Sequence, residues 1–132
     1  MSRDLFWVGS SKKDLREMPE EVIREFGFVL RAVQNGGQHS SIKVWKGEAG
    51  VYEIRISNSD STFRTVYLVN LSTGIYVLHA FQKKSSTGIK TSQLDKDMVA
   101  ARFSKAKQIH EELLAEKDKS NEVRKVAKKK GR

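Results

Sequence analysis

The chain contains no cysteine, which removes disulfide frameworks, thiol catalysis and cysteine-based zinc sites from consideration. It also lacks any apolar run near the ~20 residues of a membrane span, and residues 1–15 hold no signal-peptide core. The expectation is a soluble, cytoplasmic protein with no membrane partner. The three histidines, His39, His79 and His110, show no HExxH or comparable ligand spacing, so neither a metal site nor a cofactor is expected. No GxxxxGKS or GxxxxGKT loop is present to cradle phosphates, and spacing suggests no serine–histidine–aspartate arrangement. Ordinary nucleotide hydrolysis and triad chemistry are set aside on those grounds.

Positive charge is what the chain has in excess. Twenty-five Lys and Arg against 16 Asp and Glu leave a net +9, with a pI near 9.9, which points to an acidic partner. The excess is uneven: Glu116 to Arg132 carries eight basic and three acidic residues, a net +5, leaving +4 for the first 115. A length of 132 residues suits one core. The expected organisation is a domain over 1–117 and a basic C-terminal extension over 118–132, helical or disordered. Past Lys119 that extension offers only Val123, Val126 and Ala127 as apolar residues. It is either a solubilising tail or a contact for ribosomal RNA.

Leu5 to Val8 reads as a first strand, stopped by Gly9 and followed by a brief helix over Lys12 to Met18. Pro19-Glu20-Glu21 opens a second helix, with proline in the first turn and acids at the positive end of the dipole. Val22, Ile23, Phe26, Val29, Leu30 and Val33 give it one apolar stripe, and Asn35-Gly36-Gly37 stops it. Residues 38–50 read as a loop whose Trp45 packs on the domain. Three strands follow, at about 51–57, 62–70 and 75–83, with turn residues between them. A helix from Gln93 to Lys117 closes the domain with Val99, Phe103, Ala106, Ile109 and Leu113 facing the core. The expected fold is α+β, in the order β-α-α-β-β-β-α, with a small antiparallel sheet packed by helices.

Each of the three later strands carries a cation inside or at the end of a strand-forming run: Arg55, Arg64, and Lys83 with Lys84. A charge within a strand is costly unless it reaches water or a partner. The three together suggest one exposed basic sheet surface for an anionic ligand. Salt bridges to Glu48, Glu53 or Asp60 are the plain alternative. Arg55 and Arg64 lie on adjacent strands, and paired guanidiniums can hold a phosphate and stabilise charge developing on phosphorus. Lys83 and Lys84 would clamp phosphate at the sheet rim, with Phe81 or Tyr76 free to stack on a base. By the two-residue period His79 shares a face with Phe81 and Lys83, and also with Ile75 and Val77. It is therefore either a general acid or base or a core residue.

Tyr52-Glu53-Ile54-Arg55, Phe63-Arg64-Thr65-Val66-Tyr67, Val77 to Lys84, Lys90-Thr91 and Ala101-Arg102 together resemble the RelE/ParE superfamily of type II toxins, in its phage-derived HigB-like branch. The resemblance runs from about Leu5 to Leu114. It implies a RelE-like fold and a ribosome-dependent mRNA endoribonuclease, an mRNA interferase that needs no metal and inhibits translation. Its implied partners are the ribosome and mRNA, an antitoxin with a helix-turn-helix fold and, through that antitoxin, operator DNA. By the resemblance Arg55 and Arg64 match the family's sheet arginines, and Lys83 and Lys84 its basic strand end. Together with the strand reading above, the expected catalytic residues are Arg55, Arg64, His79 and Lys83, and the expected RNA contacts Lys84, Phe81 and Arg102. The alternatives within reach of the same fold are a ParE-like inhibitor of gyrase without nuclease chemistry and a plain RNA-binding module. The chain departs from the pattern at Ser92, where close relatives often carry proline, and has no clear match to the superfamily's C-terminal catalytic tyrosine or histidine.

Overall fold

The computed structural model describes residues 2–83 and 91–130, with side chains in the final helix described as far as 120. The elements run β1 (Leu5–Trp7), α1 (Ser11–Arg16), α2 (Glu20–Gln34), β2 (Ile42–Val44), β3 (Val51–Ser57), β4 (Thr62–Leu71), β5 (Gly74–Lys83) and α3 (Gln93–Lys130). One five-stranded sheet has the order β1-β5-β4-β3-β2. It is mixed: β1 runs parallel to β5 and every other pair is antiparallel. The parallel pair follows from the chain path, which leaves β1 through two helices and re-enters the sheet at its far side. β2 lies in the stretch expected to be loop. Three residues with a lysine between two apolar ones are too short for alternation to declare a strand.

The helices α1 and α2 cover one face of the sheet. Val22, Phe26, Val29, Leu30 and Val33 from α2 pack with Leu15 and Met18 against Ile54, Ile56, Phe63, Tyr67, Ile75 and Val77. Gly27, within α2, has open space around it, so it costs only helix propensity, about 1 kcal/mol against alanine. At the end of α2, Gly36 takes φ +79°, a conformation that favours glycine. The Gly36 and Gly37 amides donate to the Val33 and Ala32 carbonyls and close the helix.

The other face is covered by α3, whose Val99 and Ala106 are buried against Val8, Val66, Leu68, Tyr76 and Leu78. Trp45 joins this layer, its indole donating to Glu48 Oε2 at 3.0 Å. The helix continues beyond the expected Lys117 to Lys130.

One turn and one bulge set the register. Asn58 Oδ1 accepts from the Asp60 and Ser61 amides at 3.0 and 2.8 Å, a side-chain mimic of a backbone turn. That four-residue link places Arg55 directly opposite Arg64. In β5 the register against β4 shifts: Val66 pairs with His79, but Tyr67 pairs with Val77, leaving Leu78 as an extra residue. This bulge breaks the two-residue period. Ile75 and Val77 face α2, while Tyr76, Leu78 and Phe81 face α3. His79 therefore shares its face with Phe81, as expected, but not with Ile75 and Val77.

Candidate anion-binding cleft

The α3 face of β3, β4 and β5 carries Glu53, Arg55, Arg64, His79 and Phe81, and the start of α3 adds Thr91, Ser92, Asp95 and Lys96. Glu53 is 2 % exposed and stands between the two arginines. Its Oε1 accepts from Arg55 Nε and lies 3.8 Å from Arg64 Nη1. Two like charges directly opposite on adjacent strands repel, and the shared carboxylate offsets that repulsion. Of the three acids weighed as salt-bridge partners, Glu53 is the one that pairs.

The arginines differ in access. Arg64 is 1 % exposed, with Nη1 donating to Thr91 Oγ1 at 2.8 Å and its guanidinium 5.9 Å from the Phe81 ring centre. Burial lowers its pKa from the ordinary value, the Glu53 carboxylate raises it, the Arg55 charge lowers it and Asp95 raises it. The expectation of two exposed arginines thus fails for Arg64: α3 and the 91–92 segment close over it. Arg55 has a side chain 36 % exposed and opens into a cleft of ≈ 540 Å³, lined by Val44, Trp45, Lys46, Glu53, Arg55, Thr91 and Lys96. Lys46 and Lys96 are exposed at its rim. The cleft can hold an anion between Arg55 and two lysines, with a hydroxyl at Thr91.

Beside it, His79 Nε2 lies 2.8 Å from Asp95 Oδ1. The imidazole stacks on Phe81 at 4.8 Å, and its buried Nδ1 has no partner among the described residues. Phe81 sits between the His79 ring and the Arg64 guanidinium and is 9 % exposed, so the base-stacking role expected of it has no free ring face. Tyr76, the alternative stacker, is fully buried against Phe6. Lys83 ends β5 opposite Thr62 on the same face and is half-buried. Lys84 lies outside the described residues.

Ser92 explains its own departure from proline. It precedes α3, its Oγ accepting from the Asp95 amide at 3.1 Å and donating to Asp95 Oδ2 at 2.6 Å. This serine–aspartate pair, three residues apart, caps the helix and holds Asp95 toward His79.

Arg102, expected on RNA, instead ties α3 to the sheet. Nη1 donates to the Leu78 carbonyl at 3.0 Å and Nη2 to Ser10 Oγ at 2.9 Å. The guanidinium packs over Gly9, where an added Cβ would come within 2.8 Å of Nε. A glycine at φ +58° is what lets it pass.

Lys46, Lys96 and Asp95 are site residues that sequence reasoning did not single out, and Glu53 was weighed there only as a salt-bridge partner. A glutamate between strand arginines was the available signal for Glu53. The other three reach the site only through folding. Among the described residues, no group of three or more His, Cys, Asp or Glu is placed to hold a metal ion. No helix among them is long and apolar enough to cross a membrane.

No curated protein matches the chain. Solved structures do so at low identity. The free state of an E. coli RelE toxin variant shares 21 % identity, covering 61 % of this chain and 82 % of that one, with a TM-score of 0.49. The RelB–RelE antitoxin–toxin complex from Methanococcus jannaschii gives 22 %, 58 %, 87 % and 0.45 for the same measures. The toxin–antitoxin complex RelBE2 from Mycobacterium tuberculosis gives 13 %, 64 %, 95 % and 0.46. A family model described as "Phage derived protein Gp49-like" matches residues 13–104, from α1 through the clamp residue Arg102. The chain therefore belongs to the phage-derived Gp49-like family.

Proposed function

We propose that this protein is the toxin of a type II toxin–antitoxin pair and cleaves mRNA on the ribosome, without a metal, until a helix-turn-helix antitoxin binds it. The observation that carries the reading is the cleft in which Arg55, opposite Arg64 and seated on Glu53, faces Lys46 and Lys96. In this mechanism the RNA 2′-OH gives its proton to solvent as it attacks the adjacent phosphorus, a 2′,3′-cyclic phosphate forms, and the 5′-oxygen leaves and takes up a proton from solvent. Arg55 stabilises the charge that develops on the phosphorane oxygens. Lys46 and Lys96 hold flanking phosphates, and Lys83 extends that track along the sheet rim. Arg64 acts from beneath as a positioning residue, fixing Thr91 and Glu53. Strict alignment of the 2′-OH by the ribosome supplies an orientation effect of up to about 7–11 kcal/mol, which lowers the demand on a general base.

One feature favours a second reading, a non-catalytic inhibitor of gyrase. His79, the residue best suited to proton transfer near neutral pH, is 7 % exposed and engaged by Asp95. The test is expression of the chain followed by mapping of transcript ends in a translating extract, with ribosome-free RNA incubated with and without EDTA as the control. Cuts within codons of translated messages, with ribosome-free RNA left intact, are expected. Growth arrest with intact messages and blocked supercoiling would replace the nuclease reading with the gyrase one. Efficient metal-dependent degradation of naked RNA would replace both.

A further inference from the structure

A second concavity lies across the sheet from the cationic cleft, and the proposed chemistry does not use it. It measures ≈ 420 Å³ and is walled by Val33, Ile42, Val44, Tyr52, Tyr67 and Val69. Val44 is 68 % exposed, and Phe28, 65 % exposed, sits edge-on to His39 at the cavity margin. Two large exposed apolar side chains flanking one trough mark a contact surface more than a solvent face.

The trough adjoins an open sheet edge, since β2 is the terminal strand. The Trp45 amide donates to the Val51 carbonyl and the Arg55 amide to the Ser41 carbonyl. Antiparallel alternation then turns the backbone groups of Ser41, Lys43 and Trp45 toward β3, and those of Val44 outward. Among the described residues nothing pairs with the Val44 amide or carbonyl. A short open edge beside an apolar trough offers a place for strand addition.

Charge identifies the occupant. Arg3 and His39 line the trough, no acidic residue does, and the whole chain carries +9. Val44 borders both the trough and the cationic cleft. A strand laid along β2 would place alternate side chains over the two sites. Apolar ones would enter the trough, and those between would meet Lys43, Lys46 and the mouth of the Arg55 cleft.

We propose that the free edge of β2 receives an extended segment of the antitoxin in which apolar and acidic residues alternate. The apolar set fills the trough, and the carboxylates cover the cationic cleft in place of RNA phosphate. This rests on the toxin reading above and adds to it the surface and the chemistry of neutralisation.

The test measures, by calorimetry, the binding of the antitoxin encoded beside this gene to the full chain. Val44→Glu, at a solvent-facing position, should weaken binding by about tenfold or more, and Val44→Lys by less, because the occupant is acidic. Val44→Pro deletes the outward amide, a change that sheet edges tolerate, and should also weaken binding. Leu94→Glu, 76 % exposed on α3, should leave binding unchanged, and melting curves verify that each variant folds. Equal binding by folded Val44→Glu and Val44→Pro would overturn the surface while leaving the toxin reading intact. A neighbour that fails to bind the unaltered chain would overturn that reading and the proposal with it. Self-association of the chain alone that Val44→Glu abolishes would assign the edge to a second copy and overturn the antitoxin assignment.

Discussion

On the α2 face, the side chains that β3, β4 and β5 bury are apolar apart from Thr65 and the Tyr67 hydroxyl, and a single helical stripe covers them. On the α3 face the same three strands bury Glu53, Arg64 and His79 beside Val66, Leu68 and Leu78. Burial of apolar area is non-directional, so the first face needs only shape and volume. Buried charges need specific partners at specific distances. The second face meets that demand with Glu53 for the arginines, Asp95 for His79 and Thr91 for Arg64. A face that must be satisfied pair by pair is also one where an incoming anion can compete. Arg55, the member left open to the cleft, is where that competition would occur.

Removing Glu53 should break the charged face most severely. Glu53→Ala is expected to cost about 3–5 kcal/mol by denaturant titration, because Arg64 is left buried against Arg55. Phe26→Ala on the other face should cost a similar ~3–5 kcal/mol through its cavity, so size alone will not separate the two faces. Replacing Glu53 and Arg64 together by methionine will. The pair removed as a unit should recover most of the loss, and a double variant no better than Glu53→Ala would mean that packing, not charge pairing, holds this face.

Arg55→Ala should divide function from stability. Its side chain is partly solvated, so unfolding free energy should shift by at most about 1 kcal/mol. Cleavage in the translating extract should fall about 10²–10³-fold. Full activity in this variant would move the anion site away from the cleft.

Ser92→Ala should cost about 1 kcal/mol through the lost cap. If Asp95 then swings from His79, the imidazole resonances will shift in NMR spectra. An unchanged imidazole would show that Asp95 is held by packing alone.

The smallest effect belongs to the apolar face. Burial, with a lesser contribution from Tyr52, pushes the Tyr67 phenol above its ordinary 10.0. In the folded state it keeps its proton at pH values where the unfolded chain releases it. Its contribution to stability is thus complete below pH 10 and declines as pH rises above that value. Tyr67→Phe should flatten the alkaline limb of a stability–pH curve, and an unaltered limb would place the phenol in open water.

Much of this was legible before folding because it is local. The α2 stripe from Val22 to Val33, its start at Pro19 and its stop at Gly36 are read from three- and four-residue spacing and cap chemistry, which neighbours in sequence decide. The hairpin at 58–61 is local too, which is why two arginines on adjoining strands could be suspected of meeting. The α+β order followed from those elements in sequence.

What stayed hidden depends on partners distant in the chain. A strand as short as Ile42–Val44 has no pattern of its own and exists because β3 offers it an edge. The bulge at Leu78 sends Ile75 and Val77 to one face and His79 to the other, which no strict period foresees. Arg64 reads as a surface cation until the Thr91 hydroxyl, twenty-seven residues later, accepts from its Nη1 and the start of α3 seals it in. Arg102 reads as an RNA contact until Leu78 and Ser10, the latter ninety-two residues away, take its guanidinium. The sequence by itself determined where charge and apolar stripe occur along the chain, because those are properties of residues and their near neighbours. Only the tertiary structure decided which cations meet water and which meet a carboxylate, because desolvation depends on what packs above a side chain.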